Sequence, residues 1–273
     1  MQVSRHDNKK GRTLWLVLFF ILFLPLSGWA EEKTRSKWGL GLGTGWLNDY
    51  PGSAQGRIRF LPFPVYRGTL VKLDRVSGVS GGVFNSSRIN FSWNFIFQFP
   101  TNSSSIPARA GMPNLDWLLS LGPQVKYSIY RTPYSHTFFR FPVRVNTCTN
   151  FSTRTQFCGL NFSPGVRHAM RFEKWGDLTL RWEAFSNTSE YQQYFYQVDP
   201  KYATATRPAY HARAGFLGFV YGFFHTLPFE GWDLSTAVSL YDYSLAINQK
   251  SPLFVHKTNF SIFFAVVFDI SNT

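Results

Sequence analysis

The stretch that decides the fold is RINFSWNFIFQF, residues 88–99. Its odd positions, from Ile89 to Phe99, are all apolar, and five of its six even positions are polar. A period of two over twelve residues excludes a helix, because a helix would scatter the apolar groups around its axis. The alternation therefore predicts a β-strand with one apolar face and one polar face.

The length and chemistry of this strand favour a membrane. A strand tilted by about 45° needs roughly 9–11 residues to cross a bilayer, whereas soluble strands usually have about five or six. The apolar face is almost entirely aromatic, while the other face carries amides, a hydroxyl and a guanidinium that are costly in a dry core. In an outer-membrane barrel the apolar face contacts lipid and the polar face lines the lumen, so this environment suits both faces of the strand.

Residues 1–30 have the composition of a secretory signal. A basic start over residues 5–12 precedes an apolar run over residues 14–26, and small residues lead up to Ala30. The run is shorter than the roughly 20 residues of a spanning helix, so we expect cleavage after Ala30, with an uncleaved anchor as the alternative. The remaining residues, 31–273, are predicted to form one barrel domain.

The rest of the chain repeats the alternation. Aromatic residues make up 19% of the sequence and charged residues 16%, against roughly 25% charged residues in soluble domains. Further stretches with period two lie at residues 38–46, 139–145, 160–167, 178–184, 232–240 and 260–268. Turn-rich segments, such as residues 187–190, separate them, and no helical pattern is seen. At roughly 20 residues per strand and connection, we predict an antiparallel transmembrane β-barrel of about 12 strands (10–12).

The polar faces of these strands are rich in cations. Seven basic residues are predicted to face the lumen: Arg88, Lys126, Arg140, Arg144, Arg167, Arg181 and Arg213. One interpretation is an interior ladder in which arginines bond carboxylates such as Glu183, tyrosines and backbone carbonyls. The other is a basic channel that prefers anions. The formal charge of +13 favours lipopolysaccharide over nucleic acid as a partner, because the signal directs the chain out of the cytoplasm.

Two cysteines, Cys148 and Cys158, flank a segment that is typical of a hairpin loop. An oxidising periplasm favours a disulfide between them, with two free thiols as the alternative. A metal site is not predicted, because no Cys-x-x-Cys motif or histidine cluster accompanies the cysteines, and no cofactor is predicted either.

Catalytic patterns are weak. His136, which follows a serine, and the histidines His211 and His225 suggest a lipid-modifying hydrolase of the outer membrane. However, no Gly-x-Ser-x-Gly motif and no spaced acidic partner identifies a nucleophile. We therefore expect a protein that is not an enzyme, without catalytic residues.

Two stretches resemble the MipA/OmpV family, the MltA-interacting outer-membrane proteins. The first is LGLGTGWLNDYPGSAQGRIRFLPFPVYRG, residues 40–68, with the loop Tyr50-Pro51-Gly52-Ser53. The second is the C-terminal third, which contains YFYQV at 194–198, Tyr-x-Ala-x-Ala-Gly at 210–215, Trp-x-Leu at 232–234 and Ser251-Pro252. Residues 111–116, GMPNLD, are also similar to a family loop, and a Tyr-Gln pair at 196–197 stands where the family has glycine.

The resemblance implies a scaffold in the outer membrane of a Gram-negative bacterium. Family members hold a lytic transglycosylase and a bifunctional penicillin-binding protein together for murein synthesis, while others are porin-like or adhesive. Three functions are therefore open: a scaffold, a pore that prefers anions, and a lipid-modifying enzyme. In the Tyr-Pro-Gly-Ser loop, Pro51 fixes φ and Gly52 supplies a positive φ, so the motif either closes a hairpin or binds a partner.

Overall fold

The structure is a computed structural model that describes residues 37–67, 71–74 and 78–270. For residues 37, 66–67, 71–74 and 78–85 it describes the backbone alone. The predicted signal segment, residues 1–30, lies outside the described residues.

Thirteen strands and one α-helix make up the regular structure of the described residues. The strands are β1 (Lys37–Asn48), β2 (Gly56–Arg67), β3 (Val71–Asp74), β4 (Gly78–Asn85), β5 (Ile89–Gln98), β6 (Trp117–Arg131), β7 (Ser135–Thr149), β8 (Thr155–Phe162), β9 (Gly165–Phe172), β10 (Gly176–Asn187), β11 (Gly215–Phe229), β12 (Trp232–Asp242) and β13 (Thr258–Asp269). The helix, α1, is Ser189–Tyr196, and single 3₁₀ turns lie at Ser103–Ser105, Pro107–Arg109 and Pro200–Tyr202.

The strands pair antiparallel with their neighbours, and the sheet closes into a barrel. β1 pairs with β2 along one edge and with β13 along the other, from Gly39 opposite Asp269 to Trp46 opposite Ile262. β8 and β9 lie end to end between β7 and β10 and share one place in the wall. Counted over the described residues, the wall has twelve places, which confirms the predicted barrel and its strand number.

The stretch that decided the prediction forms β5, and its two faces are as the alternation requires. Ser92 and Asn94 are buried towards the lumen, while Ile89 and Phe97 are exposed on the outside. The outer faces of the other strands also carry exposed aromatic and aliphatic side chains, among them Trp38 of β1. An apolar exterior around a polar lumen is the arrangement of a transmembrane β-barrel.

Glycines on β1 make room for rings inside the barrel. Gly41 and Gly43 face the lumen, and the rings of Phe63 and Phe263 lie where Cβ atoms at these two positions would stand. Because residues 39, 41, 43 and 45 are glycines, the neighbouring strands can place aromatic rings directly against the backbone of β1 on this face.

One predicted strand is interrupted. The alternation over residues 160–167 predicts a continuous strand, but β8 ends at Phe162 and β9 begins at Gly165. Pro164 lacks the N–H that a ladder requires, and the hydroxyl of Ser163 instead accepts a hydrogen bond from Arg144. The alternation of apolar and polar residues does not reveal this break, because the pattern runs unchanged through residues 163 and 164.

The two ends of the barrel differ in the length of their connections. At the short-turn end, strands are joined by residues 86–88, 132–134, 173–175 and 230–231. At the long-loop end, they are joined by residues 49–55, 99–116, 150–154, 188–214 and 243–257. Any structure that the long loops form therefore lies at one mouth of the barrel.

The helix α1 belongs to the longest of these loops and was not predicted. Residues 187–190 were predicted to form a turn, but they contain the end of β10 and the start of α1. In the described part of the chain, no helix is long and apolar enough to cross a membrane.

Candidate functional site: a capped mouth and a basic cavity

The long loops fold over their mouth of the barrel and form a cap, which consists of residues 49–55, 99–116, 188–214 and 243–257. The cluster of buried hydrophobic side chains lies mainly here. Its largest members are Tyr50, Ile106, Tyr191, Phe195, Tyr196, Tyr243 and Phe254. The molecule thus has an apolar core at the mouth, above a barrel interior that also holds buried polar and charged side chains.

The two family motifs meet inside the cap. The hydroxyl of Tyr50 donates a hydrogen bond to the carbonyl oxygen of Leu253 at 2.7 Å. The hydroxyl of Tyr196, at the end of α1, donates to the carbonyl oxygen of Pro51 at 2.9 Å. The hydroxyl of Ser251 donates to the carbonyl oxygen of Tyr196 at 2.7 Å. The Tyr-Pro-Gly-Ser and Ser-Pro loops, about 200 residues apart in sequence, are therefore held together through α1.

Gly52 shows why the first motif needs glycine. Its φ of 78° lies in the left-handed region, which side chains disfavour. Its N–H donates to the side-chain oxygen of Asn259 at 2.8 Å, and its carbonyl oxygen accepts the N–H groups of Val255 and His256 at 2.9 Å each. Asn259 also donates to the carbonyl oxygen of Ser53 at 2.9 Å. The structure thus gives the loop a packing role in the cap.

A buried arginine, Arg109, anchors the loop over residues 99–116 to the rest of the cap. The guanidinium of Arg109 donates to the carbonyl oxygen of Phe195 at 3.0 Å, to the hydroxyl of Ser103 at 3.2 Å and to the carbonyl oxygen of Pro113 at 3.3 Å. It also lies 5.8 Å from the centre of the Tyr50 ring, within the range of a cation–π contact. Burial lowers the pKa of Arg109, and these acceptors offset part of the lost hydration.

The tyrosines of the cap are held in their neutral form. Burial raises the pKa of Tyr50 to about 12, and the charge of Asp49 adds to the shift while Arg109 opposes it. Burial also raises the pKa of Tyr191 to about 12. Because the hydroxyl of Tyr50 donates a hydrogen bond, ionisation would remove a contact between the motifs.

Below the cap, four of the seven predicted lumen cations lie together. The arginine cluster consists of Arg140, Arg144, Arg167 and Arg181, with Glu183 among them. Arg140 and Arg167 both contact one oxygen of Glu183, at 3.0 Å and 2.8 Å.

The other two arginines of the cluster bind neutral partners. Arg144 donates to the amide oxygen of Asn94 at 2.7 Å and also to Asn161 and Ser163. Arg181 donates to the hydroxyl of Ser239 at 2.7 Å and lies 4.9 Å from the centre of the Phe224 ring. The predicted interior ladder is therefore present, and among the side chains that the structure describes Glu183 is the carboxylate that pairs with the cluster.

The arginine cluster forms one side of a cavity of about 710 Å³ in the lumen. Most of the remaining lining is apolar and includes Leu61, Phe63, Ile96 and Phe263. Tyr50 and Pro51 of the cap also line the cavity. The site thus combines a cationic wall, an apolar wall and a cover built from the family motif.

The other three predicted lumen cations lie elsewhere. Arg88 is exposed in the turn before β5, because the bond from Ser86 N–H to the carbonyl oxygen of Ile89 closes a hairpin there. Arg213 is exposed in the segment before β11, where its N–H donates to Asn248 at 3.0 Å. The prediction was wrong for these two. Lys126 lies on the inner face of β6 and is half-buried, outside the lining of the cavity.

Cys148 and Cys158 form a disulfide between β7 and β8, and both side chains are buried beneath the cap. Both cysteines belong to the buried hydrophobic cluster, so the disulfide lies where the barrel wall meets the core of the cap. The structure describes no group of three or more His, Cys, Asp or Glu residues that could hold a metal ion.

The three histidines considered for catalysis lie in different places. His136 is on the inner face near the short-turn end, where its Nε2 is 2.9 Å from the hydroxyl of Ser128. His225 bonds the carbonyl oxygen of Trp175 at 2.6 Å, and His211 is exposed in the cap. They do not form a common site.

Two solved structures resemble the chain in outline. A Pseudomonas aeruginosa FadL homologue is 7% identical, with a TM-score of 0.34 and coverage of 86% of this chain and 90% of that one. Pseudomonas aeruginosa OccK8 (OprE) is 10% identical, with a TM-score of 0.22 and coverage of 78% and 70%. No curated protein sequence matches the chain.

The family comparison covers nearly all of the described barrel. The model of the family described as "MltA-interacting protein MipA" matches residues 40–270. This span runs from β1 to the end of β13 and includes both motifs that meet in the cap. The resemblance noted in the sequence is thereby confirmed, and the chain belongs to the MltA-interacting protein MipA family.

Proposed function

We propose that this barrel lies in the outer membrane of a Gram-negative bacterium and acts as a scaffold for enzymes that remodel murein. The observation that carries the proposal is the family match over residues 40–270, because the family is described by its interaction with MltA. A lytic transglycosylase is the first partner, and a bifunctional penicillin-binding protein is the second. Lipid and lipopolysaccharide surround the wall, and the basic charge favours the anionic lipopolysaccharide.

The asymmetry of the barrel supports an orientation for this role. Outer-membrane barrels have short turns on the periplasmic side and long loops on the outside. By this rule the short-turn end faces the periplasm, where murein lies, and the cap faces outward. A periplasmic partner then binds the short turns.

Two adjacent turns of the short-turn end offer a suitable surface. Tyr134 and Trp175 are 61% and 70% exposed, and the N–H of Arg171 donates to the carbonyl oxygen of Tyr134 at 2.8 Å. Tyr, Trp and Arg are the residues that contribute most to protein interfaces. We refer to Tyr134, Arg171 and Trp175 as the short-turn patch.

Site-specific photo-crosslinking in native envelopes tests the proposal. A photoreactive phenylalanine replaces Tyr134 or Trp175 in the patch, and the matched controls replace Phe151 or Leu245, each 69% exposed at the long-loop end. We expect the patch positions to crosslink a lytic transglycosylase that the controls do not reach. Recovery of no murein enzyme from any position under mild detergent would contradict the scaffold.

The cavity gives a specific reason to consider a second function, a pore that prefers anions. The arginine cluster lines the lumen, but the cap covers one mouth, so conduction requires the cap to move. In planar bilayers with a salt gradient, the reversal potential would show anion preference if the pore exists. Cation preference, or no conductance at all, excludes this function.

We further propose that the protein is not an enzyme. The histidines considered for lipid modification lie apart, and the neighbours whose charges act on His136 are Arg131 and Lys126 rather than an acid. Mass spectrometry of lipid A and phospholipids from a deletion strain should match the parent strain. A lipid species lost on deletion and restored by the gene would contradict this proposal.

A further inference from the structure

One connection of the cap carries exposed cations next to the lipid-facing wall. Residues 243–257 join β12 to β13, and Lys250 and Lys257 in this connection are exposed. Arg213, in the segment that leads into β11, is exposed as well. We refer to Arg213, Lys250 and Lys257 as the basic rim.

A buried asparagine joins the two segments of the basic rim. The N–H of Arg213 donates to the side-chain oxygen of Asn248 at 3.0 Å, and the side-chain amide of Asn248 donates to the carbonyl oxygen of Arg213 at 2.8 Å. Asn248 is fully buried. The N–H of Ser251 donates to the carbonyl oxygen of Asn248 at 3.0 Å, which closes a turn around Lys250. Arg213 and Lys250 therefore lie on neighbouring, hydrogen-bonded segments of backbone.

Lys257 lies at the base of the same connection, where the loop meets the wall. The N–H of Tyr243 donates to the carbonyl oxygen of Lys257 at 2.7 Å, directly beyond the last residue pair of β12 and β13. Further down these strands, Leu240 and Phe260 lie opposite each other and are each 47% exposed on the apolar outer face. The basic rim thus begins where the apolar wall ends.

The cations of the basic rim outnumber the carboxylates in their own segments. Residues 211–214 and 242–257 carry three Lys or Arg side chains and one carboxylate, Asp242. One oxygen of Asp242 accepts the N–H of Ser244 at 2.8 Å. None of the three cations forms an ion pair with a carboxylate that the structure describes. The basic rim therefore offers an excess of positive charge to an anion from outside the chain.

The position of the basic rim relative to the membrane indicates which anion it meets. The long loops of an outer-membrane barrel lie on the outside, so cations at the end of the apolar wall lie at the head-group level of the outer leaflet. The anionic lipid of this leaflet is lipopolysaccharide, whose lipid A carries phosphate groups above its acyl chains. Guanidinium and ammonium groups bind phosphates through charge-assisted hydrogen bonds, and each basic residue next to an anionic membrane surface strengthens attachment.

We propose that the basic rim binds lipopolysaccharide through the phosphate groups of lipid A. The phosphates contact the three cations, and the acyl chains lie along the outer faces of β12 and β13, over Leu240 and Phe260. The proposal rests on the outer-membrane location and the outward orientation of the cap proposed above. It does not depend on the scaffold function, since no partner protein contributes to this surface.

Binding to the full-length barrel in a non-ionic detergent tests which lipid is recognised. The probes are lipid A with both phosphates, lipid A from which the phosphates have been removed, and phosphatidylglycerol, and native mass spectrometry measures their binding. We expect the bisphosphorylated lipid A to bind at least about tenfold more tightly than either of the other probes, because it alone presents two phosphates to the cations. Equal affinity for lipid A without phosphates, or for phosphatidylglycerol, would overturn the proposal.

Two triple variants locate the surface. The rim variant carries Arg213→Gln, Lys250→Gln and Lys257→Gln. The control variant removes the same charge from three exposed cations at the short-turn end and carries Arg88→Gln, Arg131→Gln and Lys174→Gln. We expect the rim variant to weaken binding of lipid A at least about tenfold and the control to leave it within twofold. An equal loss in both variants would show attraction by net charge alone and refute the site.

Photo-crosslinking in cells tests the contact without removing a cation, also where the rim variant fails to fold. A photoreactive phenylalanine replaces Leu245, which lies in the connection of the basic rim, or Tyr134 in a short turn; these side chains are 69% and 61% exposed. We expect an adduct with lipopolysaccharide at Leu245 alone. The absence of this adduct, or an equal adduct at Tyr134, would contradict the proposal.

Labelling of intact cells separates a failure of the surface from a failure of the orientation on which it rests. Ala205→Cys places a thiol in the cap and Lys174→Cys places one in a short turn, both at exposed positions. A maleimide that does not cross the outer membrane should label the first thiol and not the second. If the first thiol is not labelled, the orientation is wrong and the proposal falls with it. If it is labelled but the two triple variants bind lipid A equally, the basic rim alone is refuted.

Discussion

At the scale of single residues, the cap depends on a few hydroxyl and amide groups that act between distant parts of the chain. Tyr50, Tyr196 and Ser251 each donate to a backbone carbonyl of another segment. Gln197, where the family has glycine, accepts the N–H of Ala212 at 3.0 Å and donates to Asp199 at 3.1 Å. The departure from the family pattern is thus accommodated by bonds within the cap.

Tyr50→Phe tests the contact between the two motifs. The change removes the hydroxyl and leaves the buried carbonyl of Leu253 without this donor, which typically costs about 1–3 kcal/mol. We expect the cap to become susceptible to proteolysis and the thermal transition in detergent to fall. Tyr134→Phe is the control, because that side chain is exposed in a short turn. Equal stability of the two variants would show that the bond contributes little.

The raised pKa values predict how the cap responds to alkali. An unfolded tyrosine loses its proton near pH 10, whereas Tyr50 and Tyr191 keep theirs to about pH 12. The folded cap therefore holds more protons than the unfolded one in this window, and its stability falls as the pH rises from about 10 to 12, by on the order of 2 kcal/mol for each group. Tyrosinate absorbance and proteolysis should show the exposed tyrosines ionising first and the cap opening afterwards. Proteolytic resistance that does not change up to pH 12 would contradict this.

At the scale of elements, alternation predicted what lies in the wall and little of what lies beyond it. The faces of β5 and of β7 follow directly from their sequences, because lipid on one side and a polar lumen on the other select opposite residue types at successive positions. Arg140, Arg144, Arg167 and Arg181 lie inside for the same reason. Arg88 and Arg213 were placed wrongly, because each sits just outside a strand, where the period of two no longer determines direction.

The cap could not be predicted from local patterns. Helix α1 has only eight residues, and the face that it buries, Tyr191, Gln192, Phe195 and Tyr196, includes a polar side chain, so the apolar period is too short to predict a helix. Its position depends on contacts with residues 55 and 145 positions away in sequence, as the bonds of Tyr196 show. The motifs in the sequence indicated which loops matter, but not that they touch each other.

The glycine face of β1 provides a test at this scale. Gly43→Val places a branched side chain where the ring of Phe263 lies, and overpacking of this kind costs about 1–3 kcal/mol or more. We expect a large loss of the folded, heat-modifiable band in semi-native gels. Thr44→Val, on the outer face of the same strand, should retain it. If Gly43→Val assembles as well as the control, the inner face of β1 has more space than the structure indicates.

At the scale of the whole molecule, the outer wall decides where the protein resides. Leu42 in the middle of β1 and Phe151 in a loop are both exposed apolar side chains. In water, an arginine at either position would be tolerated. In a bilayer, Leu42→Arg should cost about 2–4 kcal/mol and Phe151→Arg little, because only the former lies within the hydrocarbon. Refolding into lipid vesicles over a urea series measures the difference, and equal midpoints would place the wall outside the bilayer.

The short-turn patch and the cavity occupy different parts of the same molecule. The patch lies at one end, while the cavity lies beneath the cap. Variants of Tyr134 can therefore probe partner binding without altering the cavity.

The pairing of β1 with β13 closes the wall between the first strand and the last. Across this junction the N–H of Ile270 donates to the carbonyl oxygen of Trp38 at 2.8 Å. While the barrel assembles, this edge of β1 stays unpaired until β13 is in place. Until then, the partly formed sheet has two edge strands whose unpaired backbone groups can pair with other chains. Loss of β13 would thus leave the facing edges of β1 and β12 unpaired and the barrel open.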